Sequence, residues 1–220
     1  MKELLNKIHH ADCLEFMKQL PDKCVDLVLT DPPYGIGESG ARNLADRPTE
    51  KWKNPISQHY KAFDDSKIPE KEIFDEIFRI SKNQIIWGGN YFTEYLPKSS
   101  GWLIWDKKVD PKEYLSMCEL AFTSFDRRAM KFDYLWAGFK KQNPEDRFHP
   151  TQKPAQLFKW CLQYSKLEKG IVLDCFSGSG TTALACHDLG LDFICIEKDE
   201  DYHKASVERL EQHKRQLKLL

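Results

Sequence analysis

The sequence lacks any apolar run long enough to span a bilayer, and Met1-Lys2-Glu3 does not open a signal peptide. It has no CxxC pair and no Cys/His group at zinc-ligand spacing, so neither a metal site nor a disulfide framework is expected from its seven cysteines. Several of them (Cys161, Cys175, Cys186, Cys195) sit in apolar runs, which suits buried free thiols in a reducing, cytoplasmic protein. Excess charge is missing too: the net value is −1, so the molecule as a whole is no electrostatic glove for a polyanion. There is no internal repeat and no linker. At 220 residues, with 41% hydrophobic and 30% charged content, the chain suits a single well-cored domain over 1–220.

Apolar runs alternate with helical patterns along that domain. Val25-Asp26-Leu27-Val28-Leu29 reads as a buried parallel strand, and similar runs end near residue 11 and at Trp87, Trp105, Phe122, Asp174 and Glu197. Between them, 12–20, 68–82, 155–165, 181–189 and about 200–217 read as helices. Strands interleaved with helices predict an α/β fold with a mostly parallel twisted sheet and helices on both faces.

The first strand of the Val25 run ends in Thr30-Asp31-Pro32-Pro33-Tyr34-Gly35. Two prolines stop a strand and fix the turn after it. Ligands of open α/β sheets bind at that edge. A carboxylate (Asp31), a carbonyl kept out of the ladder (Pro32) and an aromatic face (Tyr34) suit a planar ring bearing an exocyclic NH2. A strand-ending Pro-Pro turn with a polar cap is the plainer reading of the same residues.

Asp174-Cys175-Phe176-Ser177-Gly178-Ser179-Gly180-Thr181-Thr182 lies between a strand and a helix, and Glu197 closes the next strand. This is the context of a nucleoside cofactor: glycines admit the ligand to the backbone, and the acid can take ribose hydroxyls. The glycine spacing is not GxGxxG, so a cofactor with a positive centre and no pyrophosphate, S-adenosylmethionine, fits better than NAD. Asp12 with Glu15 has the form of a helix capping box.

Two stretches are less regular. Residues 35–61 are Gly-rich and polar, and read as a mobile loop that is either solvated or closes over the site or touches DNA. Within about 106–148, Lys107, Lys108, Arg127, Arg128, Lys140 and Lys141 are interleaved with Phe132, Tyr134, Trp136 and Phe139. That mixture suits a nucleic-acid surface or an edge hairpin with a solvated face.

Taken together, Asp31-Pro32-Pro33-Tyr34, His149-Pro150-Thr151-Gln152-Lys153-Pro154, the Asp174–Thr182 loop and Glu197 resemble an amino-methylating DNA methyltransferase. The resemblance is to the permuted (beta) class, in which the catalytic motif precedes the cofactor loop, and it spans nearly the whole chain. It implies a Rossmann-like class I methyltransferase fold, S-adenosylmethionine as cofactor, and double-stranded DNA as partner, methylated at adenine N6 or cytosine N4. Adenine is placed first, no metal or membrane is implied, and the state is a monomer or a homodimer.

The resemblance also implies roles. Asp31 and the Pro32 carbonyl would accept the amino hydrogens, with Pro33 fixing the turn and Tyr34 stacking on the base. Gly178 and Gly180 would pass beneath the methionine part of the cofactor, with Asp174, Phe176 and Thr181 in the same loop. Glu197 would take the ribose, Thr151 and Lys153 the methionine carboxylate, and Asp12 with Cys13 the adenine. Residues 106–148 would be a small target-recognition insertion. The alternatives are methylation of an RNA or a protein amide, which the Asp at 31 and the permuted order disfavour, and a silent subunit, against which the full motif set stands.

Overall fold

The computed structural model describes residues 1–37, 65–110, 116–137, 140–143, 149 and 151–216. Its elements run β1 (Lys7–His10), α1 (Cys13–Met17), β2 (Val25–Thr30), α2 (Lys71–Ile80), β3 (Ser81–Trp87), β4 (Trp102–Asp106), β5 (Cys118–Thr123) and β6 (Met130–Asp133). A short hairpin follows, β7 (Trp136–Ala137) with β8 (Lys140–Lys141). The chain continues through α3 (Ala155–Ser165), β9 (Ile171–Asp174), α4 (Thr181–Leu189), β10 (Asp192–Glu197) and α5 (Glu200–Gln216).

Eight strands form one sheet in the order β1-β10-β9-β2-β3-β5-β4-β6. β1, β10, β9, β2 and β3 pair in parallel, whereas β5 is antiparallel to both β3 and β4. β6 then pairs in parallel with β4. This is the mixed, mostly parallel sheet that the alternation predicts.

The period-2 alternation of the strands divides the core between the two faces. Leu27, Leu29, Ile85, Trp87, Phe193 and Cys195 face Leu157, Cys161 and Ala185 of α3 and α4. Val28, Ile86, Ile194 and Ile196 face Met17, Phe74, Ile77 and Ile80 of α1 and α2. Each of these large side chains is essentially inaccessible. Truncating one, such as Ile77, to alanine costs about 2–5 kcal/mol.

Three observations concern the segments nearest the site. The 35–61 loop lies outside the described residues from position 38 onward. Its first glycines are tied down: the Gly35 and Gly37 amides donate to the side chain and carbonyl of Asp65, at 3.0 and 2.9 Å. In the stretch 106–148, residues 111–115, 138, 139 and 144–148, with Phe139 and Arg147, are likewise outside. β5 and β6 belong to the main sheet, and β7 with β8 forms a separate two-stranded sheet. No described helix is long and apolar enough to cross a membrane.

Candidate active site

The edge formed by the carboxyl ends of β2 and β3 gathers the first motif. Asp31 follows β2 directly, and Tyr34 folds back so that its hydroxyl donates to Asp31 Oδ1 at 2.6 Å. The ring needs a seat, and Gly88 supplies it just past β3. A Cβ at Gly88 would stand 2.2 Å from the Tyr34 ring, and its φ of +70° is one that L side chains rarely adopt. Tyr34 also stacks on Tyr91, centroids 4.9 Å apart and planes at 18°. Gly88→Ala is therefore expected to expel Tyr34, destabilise the fold by more than 1 kcal/mol (about the usual cost of a strained backbone position) and cut activity. Tyr fluorescence and thermal melting against wild type check this, and an unchanged melt with full activity would refute the seat.

Lys153, almost completely buried at 7% exposure, donates to Asp31 Oδ2 at 2.6 Å. The same ammonium lies 3.0 Å from Glu119 Oε2 and 5.2 Å from the centroid of the Tyr34 ring. Lys107 completes the cluster at 2.5 Å from Glu119 Oε1. Burial raises the Asp31 carboxyl above the ordinary range, and the Glu119 charge adds to this while Lys153 opposes it. Glu119 is also penalised by burial, but its two cations more than offset this and hold it well below the usual carboxylate range. Burial beside two acids pushes the Tyr34 phenol far up, so it stays protonated and donating.

The second group surrounds the glycine loop between β9 and α4. Asp174 turns inward, accepting from the Thr30 hydroxyl at 2.8 Å, the Phe176 amide at 3.1 Å and the Thr182 hydroxyl. Burial pushes its carboxyl up to about 6. It braces the loop against β2. The two glycines differ in the same way. A Cβ at Gly180 would lie 3.1 Å from Ser206 and 3.2 Å from Ile8, so its bareness lets α5 and β1 close in. A Cβ at Gly178 (φ +49°) would meet nothing nearer than the His149 ring at 3.9 Å, which leaves an open cradle.

Glu197 closes that cradle. Its two oxygens accept the Gly178 and Asp199 amides, each at 2.8 Å, and burial raises its carboxyl. Phe176 is half-buried against the core, and Thr181 reaches the Lys153 carbonyl at 3.3 Å. The Thr151 amide and hydroxyl lie 3.3 and 3.1 Å from His149 Nδ1. β1 brings Asp12 beside Glu197, since the Ala11 amide donates to the Glu197 carbonyl at 3.1 Å. Asp12 caps α1 through the Leu14 and Glu15 amides and pairs with Lys198 at 3.0 Å. Cys13 is buried beside it, its thiol pushed up to about 12 by desolvation.

The sheet does not bring all the basic candidates to this edge. Because β5 runs antiparallel, Arg127 falls at the opposite edge, where it stacks on Phe125 and Tyr164, and Arg128 follows it there. Lys107 is spent inside on Glu119. Lys108 pairs with Asp133 at 2.9 Å and lies 3.5 Å from Asp106. Lys141 lies 4.3 Å from the centroid of the Trp136 ring. Lys140 is held through its strand pairing with Ala137. Lys153, expected at the methionine carboxylate of the cofactor, places its ammonium on Asp31. The sequence reading missed Gly88 as a seat, Tyr91 as a stacking partner, and Glu119. A carboxylate inside the apolar run Cys118-Glu119-Leu120-Ala121-Phe122 was the available signal for the last.

Comparison with known proteins converges on one group. The Type II methyltransferase M2.LlaDCHI of Lactococcus lactis subsp. cremoris is 26% identical over 236 residues, covering 91% of this chain and 87% of that protein. M1.HpyAVI, solved as a SAM complex, superposes with a TM-score of 0.58 at 22% identity, covering 93% of this chain and 99% of that one. The cytosine-N4-specific PvuII DNA methyltransferase gives 0.60 at 14% identity, with 94% and 89% covered. The N6/N4 DNA methylase family model matches residues 64–208, well over half of the chain. That family depends on S-adenosylmethionine, and this chain belongs to it.

Proposed function

We propose that the chain methylates the exocyclic amine of a base in double-stranded DNA, adenine N6 first, using S-adenosylmethionine. The observation that carries this reading is the Asp31–Tyr34 pair beside the Gly178–Glu197 cradle on one sheet edge. The cradle's donor set fits the cofactor: open space over Gly178, an acid flanked by backbone amides for the ribose, and Asp12 next to it for an amino group. Asp12, Gly178 and Glu197 would hold the nucleoside part, with Thr151 nearer the methionine end. The bound cofactor supplies a methyl group carried on a sulfonium.

The rest is done by this chain's residues. A base amine is planar because its lone pair is delocalised into the ring, and it is a poor nucleophile for that reason. Asp31 and the Pro32 carbonyl accept its hydrogens and favour a nitrogen with a localised lone pair. That stabilisation is realised mainly in the transition state. Extruding the base costs a few kcal/mol, and stacking on an aromatic ring returns about 1–3 kcal/mol. Tyr34 offers the ring, and the exposed Tyr91 is the one an incoming base displaces. A purine presents the larger face to that stack, which is why adenine is placed first. Lys108, Lys140 and Lys141, which follow the carboxyl ends of β4 and β6 in the chain, are the proposed phosphate contacts.

Cytosine N4 is the second reading, favoured by the fold match to PvuII. The test is incubation with unmethylated DNA and cofactor, followed by nucleoside mass spectrometry. N6-methyladenine is expected. N4-methylcytosine would select the second reading, and label found only in RNA or protein would overturn both.

A further inference from the structure

The buried charges at the site come from four separate parts of the chain: Asp31 after β2, Lys107 after β4, Glu119 in β5 and Lys153 before α3. They alternate in sign along a chain of contacts, with Lys107–Glu119 at 2.5 Å, Glu119–Lys153 at 3.0 Å and Lys153–Asp31 at 2.6 Å. The four formal charges cancel. Lys153 makes the two contacts that the site would offer a target amine: a hydrogen bond to Asp31 and a place over the Tyr34 ring. An amine entering this site competes with that ammonium for one carboxylate. Without any cation, however, a buried Asp31 would take up a proton and cease to be an acceptor.

We propose that Glu119 is a positioning residue for methyl transfer: it draws the Lys153 ammonium towards itself, so that Asp31 stays ionised yet turns an oxygen to the target amine. Lys107 sets how strongly Glu119 pulls, because it neutralises the other oxygen. The groups facing Glu119 are then Lys107, Lys153 and the Tyr34 hydroxyl at 3.1 Å, with Asp31 across the shared ammonium. The inference rests on the methyl-transfer reading.

The signs follow from Coulomb's law. Methyl transfer needs ionised Asp31, so kcat falls as pH drops through the Asp31 titration, which burial places above that of an ordinary aspartate. Glu119→Gln removes a neighbouring negative charge and leaves Lys153 to Asp31 alone. The acid limb should move to lower pH by about one unit, while the plateau kcat falls about tenfold or more because the ammonium no longer yields. Lys107→Met removes a positive charge, and the acid limb should move upward instead. Glu119→Asp should restore the wild-type limb in part. Cofactor affinity should stay within about twofold in all three.

The experiment is the pH dependence of kcat on unmethylated DNA, alongside carboxyl 13C titration of the same proteins without DNA. Asp31 is assigned in those spectra by difference against Asp31→Asn. Opposite shifts in the two variants support the proposal. Unmoved limbs, or shifts in one direction only, overturn it. If Glu119→Gln does not fold, the upward shift in Lys107→Met decides alone. A wild type without transfer activity would defeat the methyl-transfer reading, and the carboxyl titrations would still decide whether Glu119 and Lys107 tune Asp31 in opposite directions.

Discussion

Asp31→Ala is expected to lower kcat at least about 1000-fold, the upper range for losing one preorganised transition-state contact, with S-adenosylmethionine affinity changed only a few-fold. Asp31 meets Tyr34 through one oxygen and Lys153 through the other. Its removal therefore acts on the amine and not on cofactor binding. The variant also leaves Lys153 with Glu119 as its one partner carboxylate, so a lower melting temperature should accompany the loss. Calorimetric titration with the cofactor, run beside single-turnover transfer, checks the division. Cofactor binding lost in step with activity would place Asp31 in the cofactor site instead.

Glu197→Ala is expected to weaken S-adenosylmethionine by about 10- to 100-fold, the range of a hydrogen bond to a charged group, about 1.5–3 kcal/mol. Two effects add here. The acceptor is lost, and the Gly178 and Asp199 amides lose the carboxylate that fixes the loop's shape. Gly178→Val should match or exceed this effect. Its φ of +49° penalises any side chain, and a branched one would fill the space below His149. Gly180→Ala should damage stability more than affinity, because its Cβ would meet Ser206 and Ile8. Equilibrium binding and thermal melts separate the two glycines. Normal cofactor affinity in both Glu197→Ala and Gly178→Val would show that the cradle holds something else.

Much of this site was legible in the sequence because its geometry is local. Pro32 and Pro33 must end β2, and Gly178 must open a strand-to-helix turn, so both motifs announce their own backbone. β1 carries a single buried apolar residue, Ile8, whereas β2, β9 and β10 of the parallel half were equally plain as largely apolar runs. β6 and the β7–β8 hairpin were not, because β6 is mostly exposed and the hairpin strands are two residues each. The role of Lys153 was hidden for a different reason. Its partner Asp31 lies 122 positions away, and nothing near residue 153 shows which carboxylate the fold will bring to it. The placement of Arg127 turned on strand direction: composition made it a basic residue among aromatics, and the antiparallel β5 carried it to the wrong edge for DNA at this site.

The sheet's strand order also governs when the enzyme becomes competent during its own synthesis. Among the described residues β1 pairs with one strand, β10, at residues 192–197. β1 therefore waits for its strand partner until residues 192–197 have been made. The Asp31–Lys153 contact waits nearly as long. Contacts of such large sequence separation slow folding, since the loop entropy is lost before they form. A nascent chain that ends before residue 153 would thus carry Asp31 without the cation that balances it, and the site is complete only once that later segment has folded onto β2.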